Sequence, residues 1–312
     1  MNEYLLGLDG GGTQTRVVVA ALDGTVRGRG QAGACNLAAI PLDEALQTAR
    51  TASADALREA SAVAAEVRIV CAGVAGASFE ARRLGFEAGL RASFPRAQVS
   101  VLPDYAIALT AATGGGPGVI VIAGTGSAAY GENAAGGNHR AGAYGYLIDD
   151  AGSGYGVGRA AIAAVLRAAD GTGETSTLSQ RVLAALEISS PADIVPGVYG
   201  GGISRVAIAG LARVVADAAR EDADAAASAI LMRAGGALAQ LVHGVTGRLF
   251  ANAPHPFPLS PIGGLWNAGA TLTDVFTRSL HRFAPNAVFQ PPQYTPVEGA
   301  VLRAGKMLAE VL

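Results

Sequence analysis

Cysteine is scarce in this 312-residue chain, which contains only Cys35 and Cys71. The two lie far apart in the sequence and form no C-x-x-C pair. This spacing disfavours a disulfide framework, a zinc site and an iron-sulfur cluster. We expect both cysteines to be reduced residues packed in the interior.

Charge and long apolar runs are limited as well. Charged residues make up 15% of the chain, the formal net charge is -2, and no Lys/Arg cluster is present, which disfavours a nucleic-acid partner. No uninterrupted run of about 18 apolar residues suggests a membrane span. The first apolar run is broken by Asp9 and lacks the basic flank of a secretion signal. We therefore expect a cytoplasmic protein that binds small molecules.

Glycine is abundant, and three glycines stand in the most informative stretch, where two apolar runs between Leu5 and Val19 flank a polar bend. The bend contains Asp9, Gly10, Gly11, Gly12, Thr13 and Thr15. The pattern predicts a hairpin whose glycines let backbone N–H groups approach phosphate oxygens, with the threonine hydroxyls as further donors. A carboxylate beside a polyphosphate is reasonable if Mg²⁺ lies between them. On local grounds, a tight hairpin with a capping aspartate explains the same residues.

The rest of the first half alternates strands and helices. A third strand over residues 26–31 follows the hairpin, a helix is predicted from Pro41 to about Ala65, and strands over residues 67–72 and 99–102 flank a helix over residues 79–94. This alternation indicates an α/β layer with a partly parallel sheet. Asp104 follows the second of these strands, at the end where such sheets bind ligands. A simple helix-capping role for Asp104 is the alternative.

A second glycine and hydroxyl bend opens the other half of the chain. Residues 114–118 are a glycine-rich link, after which an apolar strand leads into Gly124, Thr125, Gly126 and Ser127. These residues also satisfy the dinucleotide fingerprint G-x-G-x-x-[GA]. That fingerprint requires a helix to start at the glycines, whereas further glycines follow here within a few residues. A second hairpin fits better than an NAD site, and no Walker-type loop is present.

Three further segments complete the second half. Adjacent acids at Asp149 and Asp150 precede Ser153 at the head of a helix, forming either a polar concavity or an ordinary N-cap with supporting acids. Residues 162–232 are predicted to be largely helical with several breaks, and a separate helix is predicted over residues 238–250. A short strand then enters a Gly263-Gly264 bend, where bare backbone can contact a flat ring.

Together these motifs resemble the sugar kinase, Hsp70 and actin superfamily, and within it the BadF/BadG-type ATPases and the N-acetylglucosamine or glucosamine kinases. The bend after Asp9 is similar to the first phosphate motif, the bend at Gly124 to the second, and Gly263-Gly264 to the adenosine motif. The resemblance implies an α/β fold of two ribonuclease H-like domains (the actin-like ATPase fold) with an active-site cleft between them. The implied domains are residues 1–114, completed by a C-terminal helix over 296–312, and residues 118–292.

The resemblance also implies roles for particular residues. Asp104 matches the catalytic aspartate, and Asp9 would face the metal ion. Substrate contacts are implied for Asn36, Asp104, Tyr144, Gly145 and Asp150. Nucleotide contacts are implied for Gly10, Gly11, Gly12, Thr13, Thr15, Gly124, Thr125, Gly126, Ser127, Gly263 and Gly264. The block around Asp150 departs from the family's Gly-Asp-Glu-Gly-Ser, with Asp149 in place of Gly and Ala151 in place of Glu.

The function implied is an ATP- and Mg²⁺-dependent kinase in which Asp104 takes the proton from O6 of an amino sugar as that oxygen attacks the γ-phosphorus. The sequence leaves open whether the sugar carries an amine or an acetamide. Dimers are common among such kinases, and the oligomeric state of this chain is also left open. The alternative is an ATPase coupled to a partner protein, a class that carries cluster-binding cysteines with a spacing absent here. A sugar-kinase-like transcriptional regulator would need an added DNA-binding segment before Asp9.

Overall fold

The computed structural model describes residues 3–251 and 255–310, which form two compact units. The first unit contains the described residues up to Gly116 and those from Pro291 onward, and the second runs from Pro117 to Gln290. The strands are β1 (Tyr4–Gly10), β2 (Thr15–Ala21), β3 (Val26–Ala32), β4 (Val67–Val74), β5 (Gln98–Pro103), β6 (Gly118–Ala123), β7 (Ser127–Glu132), β8 (Asn138–Gly142), β9 (Phe257–Ile262) and β10 (Ala287–Phe289). The helices are α1 (Leu42–Glu59), α2 (Glu80–Ser93), α3 (Asp104–Thr113), α4 (Gly154–Ala169), α5 (Thr177–Ala185), α6 (Ile194–Tyr199), α7 (Arg205–Glu221), α8 (Ala225–Leu249), α9 (Ala270–Phe283) and α10 (Pro296–Ala309).

The sheet of the first unit has the strand order β3-β2-β1-β4-β5. β1, β2 and β3 form an antiparallel meander, whereas β4 runs parallel to β1 and β5 parallel to β4. The predicted hairpin, third strand and parallel strands are thus confirmed. Because β1, β4 and β5 are parallel, their carboxyl ends meet at one edge of the sheet. At this edge Asp9 is registered with Gly73, and Val74 with Pro103.

Helices cover both faces of this sheet because successive side chains of β1 point to opposite sides. Leu6 and Leu8 are buried in the core shared with α1 and α2, whereas Leu5 is buried in the core shared with α3 and α10. Burial of one such leucine stabilises the fold by about 1.5–3 kcal/mol. α10 approaches the sheet closely at Gly7, where an added Cβ would lie 2.8 Å from the carbonyl oxygen of Val297.

In the first unit, α1 ends earlier than predicted, and the predicted end of α10 lies outside the described residues. α1 ends at Glu59 rather than near Ala65, because Ser61 adopts a φ of 51° and the Ala62 N–H bonds back to the Leu57 carbonyl at 2.9 Å. This is a Schellman-type end built on a serine instead of the usual glycine. The helix predicted over 296–312 is observed as α10, and residues 311 and 312 lie outside the described residues.

The sheet of the second unit repeats the same arrangement, in the order β10-β9-β6-β7-β8. β6, β7 and β8 are antiparallel neighbours, and β9 runs parallel to β6 and to β10. The second hairpin is therefore confirmed, and β7 takes the place of the helix that a dinucleotide fingerprint requires. Two α/β units with matching strand orders agree with the predicted pair of ribonuclease H-like domains.

α8 is one continuous helix, so the predicted break between Met232 and Leu238 is wrong. Gly235 does not end the helix. An added Cβ there would lie 2.5 Å from the carbonyl oxygen of Leu272, so this glycine allows close packing of α8 on α9. Within the described residues, α8 is also long and apolar enough to cross a membrane by length and composition, although polar residues interrupt its apolar sequence. It is nevertheless a core helix of the second unit, burying Leu231 and Val242.

Candidate active site

The bend between β1 and β2 is a tight backbone loop held by its neighbours. Gly11 donates its N–H to the Gln14 carbonyl at 3.0 Å, and its own carbonyl accepts from Cys35 at 2.9 Å. Gly10 lies in a crowded position, since an added Cβ would be 3.2 Å from the Cys35 carbonyl oxygen. Gly12 and Thr13 are exposed at the tip of the bend. The exposed backbone therefore belongs to the part of the bend predicted to hold phosphate.

Thr15 has a different place from that predicted for a nucleotide-contacting hydroxyl. Its side chain is fully buried, and Oγ1 donates to the Gly33 carbonyl at 2.8 Å. The Thr15 hydroxyl thus donates its hydrogen bond within the first unit. In this structure Thr15 supports the hairpin, leaving Thr13 as the exposed hydroxyl of the bend.

Asp9 is a half-buried carboxylate beside this bend. Its side chain is 16% exposed, and Oδ2 lies 3.9 Å from the guanidinium of Arg16, its cross-strand neighbour. Burial raises the pKa of Asp9 to about 6, the negative charge of Asp104 acts in the same direction, and Arg16 opposes the rise. Because burial disfavours the ionised form of Asp9, a bound cation would stabilise that form.

The fit of this edge to Mg²⁺ can be judged from its donor groups. In the described part of the chain, no cluster of three or more His, Cys, Asp or Glu side chains could enclose a metal. Mg²⁺ typically uses one or two carboxylates together with phosphate oxygens and water. Asp9, with Asp104 within electrostatic reach, supplies a donor set of that size. The residues therefore fit a cation held jointly with a phosphorylated ligand.

Asp104 is the first residue of α3, directly after β5. Its Oδ1 accepts a hydrogen bond from the N–H of Tyr105, the next residue, at 3.0 Å, but the N-cap position of α3 is Pro103 and no side chain caps this helix. Burial raises the pKa of Asp104, and the bond from Tyr105 partly opposes that rise. One carboxylate oxygen thus has a local partner, and burial, by raising the pKa, favours acceptance of a proton by this group.

Asn36 lies at the same edge of the first sheet. It forms a parallel bridge with Ala75, just beyond the end of β4. Its Oδ1 accepts from the Ala38 N–H at 2.9 Å. The two N–H donors of Nδ2 take no part in this bond. The loop fits only because residue 76 is glycine with a φ of 77°, where an added Cβ would lie 2.4 Å from the Ala38 nitrogen. The structure thus brings Asp9, Asn36 and Asp104 to one edge.

The second bend, between β6 and β7, is similarly tight. Gly124 donates its N–H to the Gly126 carbonyl at 3.0 Å and accepts from Gly154, the first residue of α4, at 2.7 Å. Ser127 is buried, whereas Thr125 is exposed at the tip. The bend and the amino end of α4 therefore lie together, and a helix amino end favours anions.

Asp150 packs against this second bend. Its side chain is only 5% exposed, and Oδ1 accepts from the Ser127 N–H at 3.1 Å. A Cβ on Gly126 would lie 3.2 Å from Oδ2, so the carboxylate packs closely against this glycine. Burial raises the pKa of Asp150, while the Ser127 N–H and the charge of Arg205 oppose the rise. Asp150 also has a φ of 91°, an unusual backbone conformation for a residue other than glycine.

Among the remaining residues of this segment, Ser153 caps a helix and Tyr144 is exposed to solvent. Ser153 is the N-cap of α4, with Oγ accepting from the Gly156 N–H at 3.0 Å, so the capping alternative is correct for this serine. Gly145 has a φ of 86° and its carbonyl accepts from Ile148 and Asp149. Tyr144 is 56% exposed. The predicted contacts Tyr144 and Gly145 therefore lie on an exposed turn next to Asp150.

A cavity of about 720 Å³ in the second unit joins the second bend to the Gly-Gly bend after β9. Gly263 has a φ of 108°, and an added Cβ would lie 2.4 Å from the Ala123 carbonyl oxygen, which explains the glycine. The lining includes Gly124, Thr125, Gly154, Val206, Ala209, Gly210, Arg213, Gly264, Leu265 and Asn267. The predicted second phosphate motif and adenosine motif thus border one cavity.

The sequence reasoning missed one wall of this cavity, which α7 supplies. Val206, Gly210 and Arg213 recur at helical spacing along one side of α7. Small and mixed residues at that spacing are also typical of ordinary helix packing, so the pattern alone could not identify the wall.

Comparison with known proteins agrees with this architecture. The described fold matches a Chromobacterium violaceum structure assigned as an N-acetylglucosamine kinase, with a TM-score of 0.78 and 28% identity over 96% of this chain and 98% of that one. A ROK family glucokinase from Streptomyces griseus, crystallised with glucose and AMPPNP, shares the fold with a TM-score of 0.57 at 18% identity, covering 96% of this chain and 98% of that chain. The fold is that of sugar kinases of the actin-like ATPase superfamily.

Sequence comparison leads to a family. The model of the BadF/BadG/BcrA/BcrD ATPase family matches residues 6–304, and the chain belongs to that family. The N-acetylmuramic acid/N-acetylglucosamine kinase of Clostridium acetobutylicum is 30% identical over 302 residues, covering 97% of this chain and 98% of the relative. The N-acetyl-D-glucosamine kinase of Dictyostelium discoideum is 27% identical over 312 residues, with coverage of 97% and 98%. The resemblance inferred from the motifs is therefore confirmed.

Proposed function

We propose that this protein is an ATP-dependent kinase that phosphorylates an amino sugar at O6, with N-acetylglucosamine as the first candidate substrate. Both curated relatives are named as kinases of N-acetylated amino sugars, and each aligns over nearly the whole chain. The coarser assignment, a sugar kinase, rests on these relatives and on the fold. The choice of sugar and of O6 is the finer part of the proposal.

The observation that carries the proposal is the meeting of Asp9, Asn36 and Asp104 at the carboxyl edge of the first sheet, beside the exposed tip of the glycine bend. A sugar kinase needs a phosphate cradle, a proton acceptor and a group that orients a hydroxyl. The bend would supply the first, Asp104 the second and the Nδ2 donors of Asn36 the third. These groups come from three separate places in the sequence, and the sheet topology gathers them.

Asp104 would act as the general base. Its carboxylate would take the proton from the sugar hydroxyl as the oxygen attacks the γ-phosphorus, and the bond from Tyr105 would hold its orientation. A positioned base of this type contributes about 10²- to 10⁴-fold to the rate. The rest of the acceleration would come from positioning and from stabilising charge on the phosphates.

Asp9 would hold Mg²⁺, directly or through water, and the ion when bound would neutralise phosphate charge. The raised pKa of Asp9 supports this role, because burial disfavours the ionised carboxylate and a bound cation would stabilise it. The Gly124–Ser127 bend and the cavity next to it would bind ATP. The adenine ring would lie between the α7 wall and the Gly263-Gly264 bend.

The state of the cysteines argues against a partner-coupled ATPase that binds an iron-sulfur cluster at an interface. Cys35 and Cys71 are both fully buried in the first unit. Burial raises the pKa of each thiol to about 12, so the thiolate form that binds metal is disfavoured. Neither cysteine is placed to ligate a cluster shared with a partner.

A coupled ADP-release screen tests the proposal. Purified protein with Mg²⁺ and ATP would be assayed with glucosamine, N-acetylglucosamine, N-acetylmannosamine, N-acetylmuramic acid and glucose. We expect rapid ADP release only with an amino sugar, and phosphate on O6 of the isolated product by NMR. ADP release in sugar-free buffer that equals the best rate of the screen would instead identify an ATPase.

A further inference from the structure

The second bend, predicted to bind phosphate, carries no basic residue of its own. Gly124–Ser127 offers hydroxyls and backbone N–H groups, and the chain contains a single lysine, Lys306. The ammonium group of Lys306 donates to the Gly115 carbonyl in the first unit. Besides Mg²⁺, a nucleoside triphosphate bound in the second unit would therefore take its cationic contacts within that unit from arginine side chains.

Three arginines on α7 are candidates, and two of them already have acidic partners. Arg220 lies 2.6 Å from Asp217 and 2.8 Å from Glu221, and Arg213 lies 3.9 Å from Asp217. Arg205, the first residue of α7, has no carboxylate oxygen within ion-pair distance among the residues that the structure describes. It is thus the α7 arginine that forms no ion pair with the described residues.

Arg205 is held in place by an aromatic ring. Its guanidinium carbon lies 4.4 Å from the centre of the Tyr146 ring, a cation–π contact. Tyr146 in turn packs edge-on against Tyr155, with ring centres 5.1 Å apart and planes at 68°. This stack fixes a cation at an exposed position, which reduces the entropy lost when it binds an anion.

Two observations connect Arg205 with the second bend: the ring that it contacts belongs to the segment that leads to Asp150, and the next residue lines the cavity at the bend. Asp150, which contacts Gly126 and accepts from Ser127, is affected by the charge of Arg205. The residue after Arg205, Val206, lines the same cavity as Gly124 and Thr125. Arg213 and Arg220, both paired with acids, line this cavity, and Arg205 directly precedes the lining residue Val206.

We propose that Arg205 binds the terminal phosphates of the nucleotide held by the Gly124–Ser127 bend, with Tyr146 as the residue that positions it. The proposal rests on the proposed function, since it requires ATP in this cavity. A guanidinium suits the task because its planar N–H donors can form paired hydrogen bonds with phosphate oxygens. A purely structural role, in which Arg205 only fastens residues 144–150 to α7, makes a different prediction.

Phosphate binding and a structural role of Arg205 can be distinguished by comparing ligands with different numbers of phosphates. If Arg205 binds phosphate, its loss should weaken ATP binding more than adenosine binding. Calorimetric titrations of wild type and Arg205→Gln with adenosine, ADP and ATP would be compared. We expect adenosine affinity to change by less than about twofold and ATP affinity to fall about 10- to 100-fold, the range for a lost charge-assisted hydrogen bond. Tyr146→Leu should give a smaller loss with the same order, and guanidinium ion added to Arg205→Ala should restore part of the ATP affinity.

Arg278→Gln is the matched control, because it removes an exposed arginine from α9 of the same unit. It should bind all three ligands like wild type. Equal losses for adenosine and ATP in Arg205→Gln would mean a structural role, and unchanged ATP affinity would mean no phosphate contact. Either result overturns this assignment while leaving the kinase proposal intact. Wild type that binds none of the three ligands would overturn both.

Discussion

Ser127 donates its backbone N–H to Oδ1 of Asp150 over 3.1 Å, which ties the predicted sugar-binding acid to the second glycine bend. Asp150 is 5% exposed and adopts a φ of 91° to make this contact. A backbone conformation of that kind costs about 1–3 kcal/mol. An acid placed in this way would influence both substrates, because it shapes the bend predicted to hold ATP.

Asp150→Ala and Asp150→Asn should therefore differ. Alanine leaves the Ser127 N–H without its acceptor, at a cost of about 1–3 kcal/mol, so the KM for ATP should rise about tenfold along with the KM for the sugar. Asparagine keeps an acceptor oxygen and tolerates positive φ. It should raise mainly the sugar KM. Steady-state kinetics with each substrate varied would show the split, and an unchanged ATP KM in Asp150→Ala would contradict it.

Asp104→Asn should keep the fold and nucleotide binding but lower kcat about 10²- to 10⁴-fold, the contribution of a general base. The amide oxygen can still accept from Tyr105, so α3 should begin normally. Thermal unfolding and ATP titration check the fold and binding, and single-turnover kinetics check the chemical step. A loss of less than tenfold would remove Asp104 from the mechanism.

Much of the fold could be predicted from the sequence because local patterns and the fold agree. Apolar runs bounded by glycine predicted both hairpins, and the alternation of strands and helices predicted the parallel strands. The misses came from residues whose role depends on a distant neighbour. Gly235 looks like a helix break until Leu272 is packed against it, and Ser61 ends α1 without any glycine.

The candidate site was less accessible than the fold. The bends follow from their glycine and hydroxyl motifs and Asp104 from its place after a strand, whereas the role of Asn36 was implied only by the resemblance to the family. The buried hydroxyl of Thr15 and the contact between Asp150 and Ser127 depend on packing between segments far apart in the sequence. The α7 wall was missed for the same reason, because only the folded unit shows which side of a helix borders a cavity.

Gly210→Leu should narrow the cavity that joins the second bend to the Gly-Gly bend. An added Cβ at Gly210 meets no atom within 4 Å, so the side chain can extend into the cavity without a clash in the free protein. The KM for ATP should rise at least tenfold while the sugar KM changes little. Leucine also favours helix more than glycine by up to about 1 kcal/mol, so stability should not fall.

The control for this prediction is Gly247→Leu on α8, which is equally free of neighbours and exposed. It should gain the same helix propensity and keep the wild-type KM for ATP. If both variants, or neither, raised the ATP KM, the cavity would not be the nucleotide site.

Asp9 gives a pH dependence with a defined sign in the metal-free, ligand-free protein. Its pKa is about 6 in the folded state and near 4 in the unfolded chain, so the folded state binds more protons between these values. Stability should therefore fall as pH rises from about 4 to 6, by about 2–3 kcal/mol from this group. Asp9→Asn removes that cost and should be more stable than wild type at pH 7 by a similar amount.

Urea unfolding in EDTA at pH 4 and pH 7 measures this difference. The gain in Asp9→Asn should be present at pH 7 and nearly absent at pH 4, where Asp9 is protonated in the folded wild type. The 3.9 Å contact with the exposed Arg16 is worth less than about 1 kcal/mol, so its loss cannot reverse the sign.

Adding Mg²⁺ with ATP should raise the stability of wild type more than that of Asp9→Asn, because only wild type keeps the carboxylate proposed to hold the ion. Asp9→Asn could instead be less stable than wild type at pH 7, or its free energy of unfolding could differ from that of wild type equally at both pH values. Either result would show that burial does not raise the pKa of Asp9 as inferred.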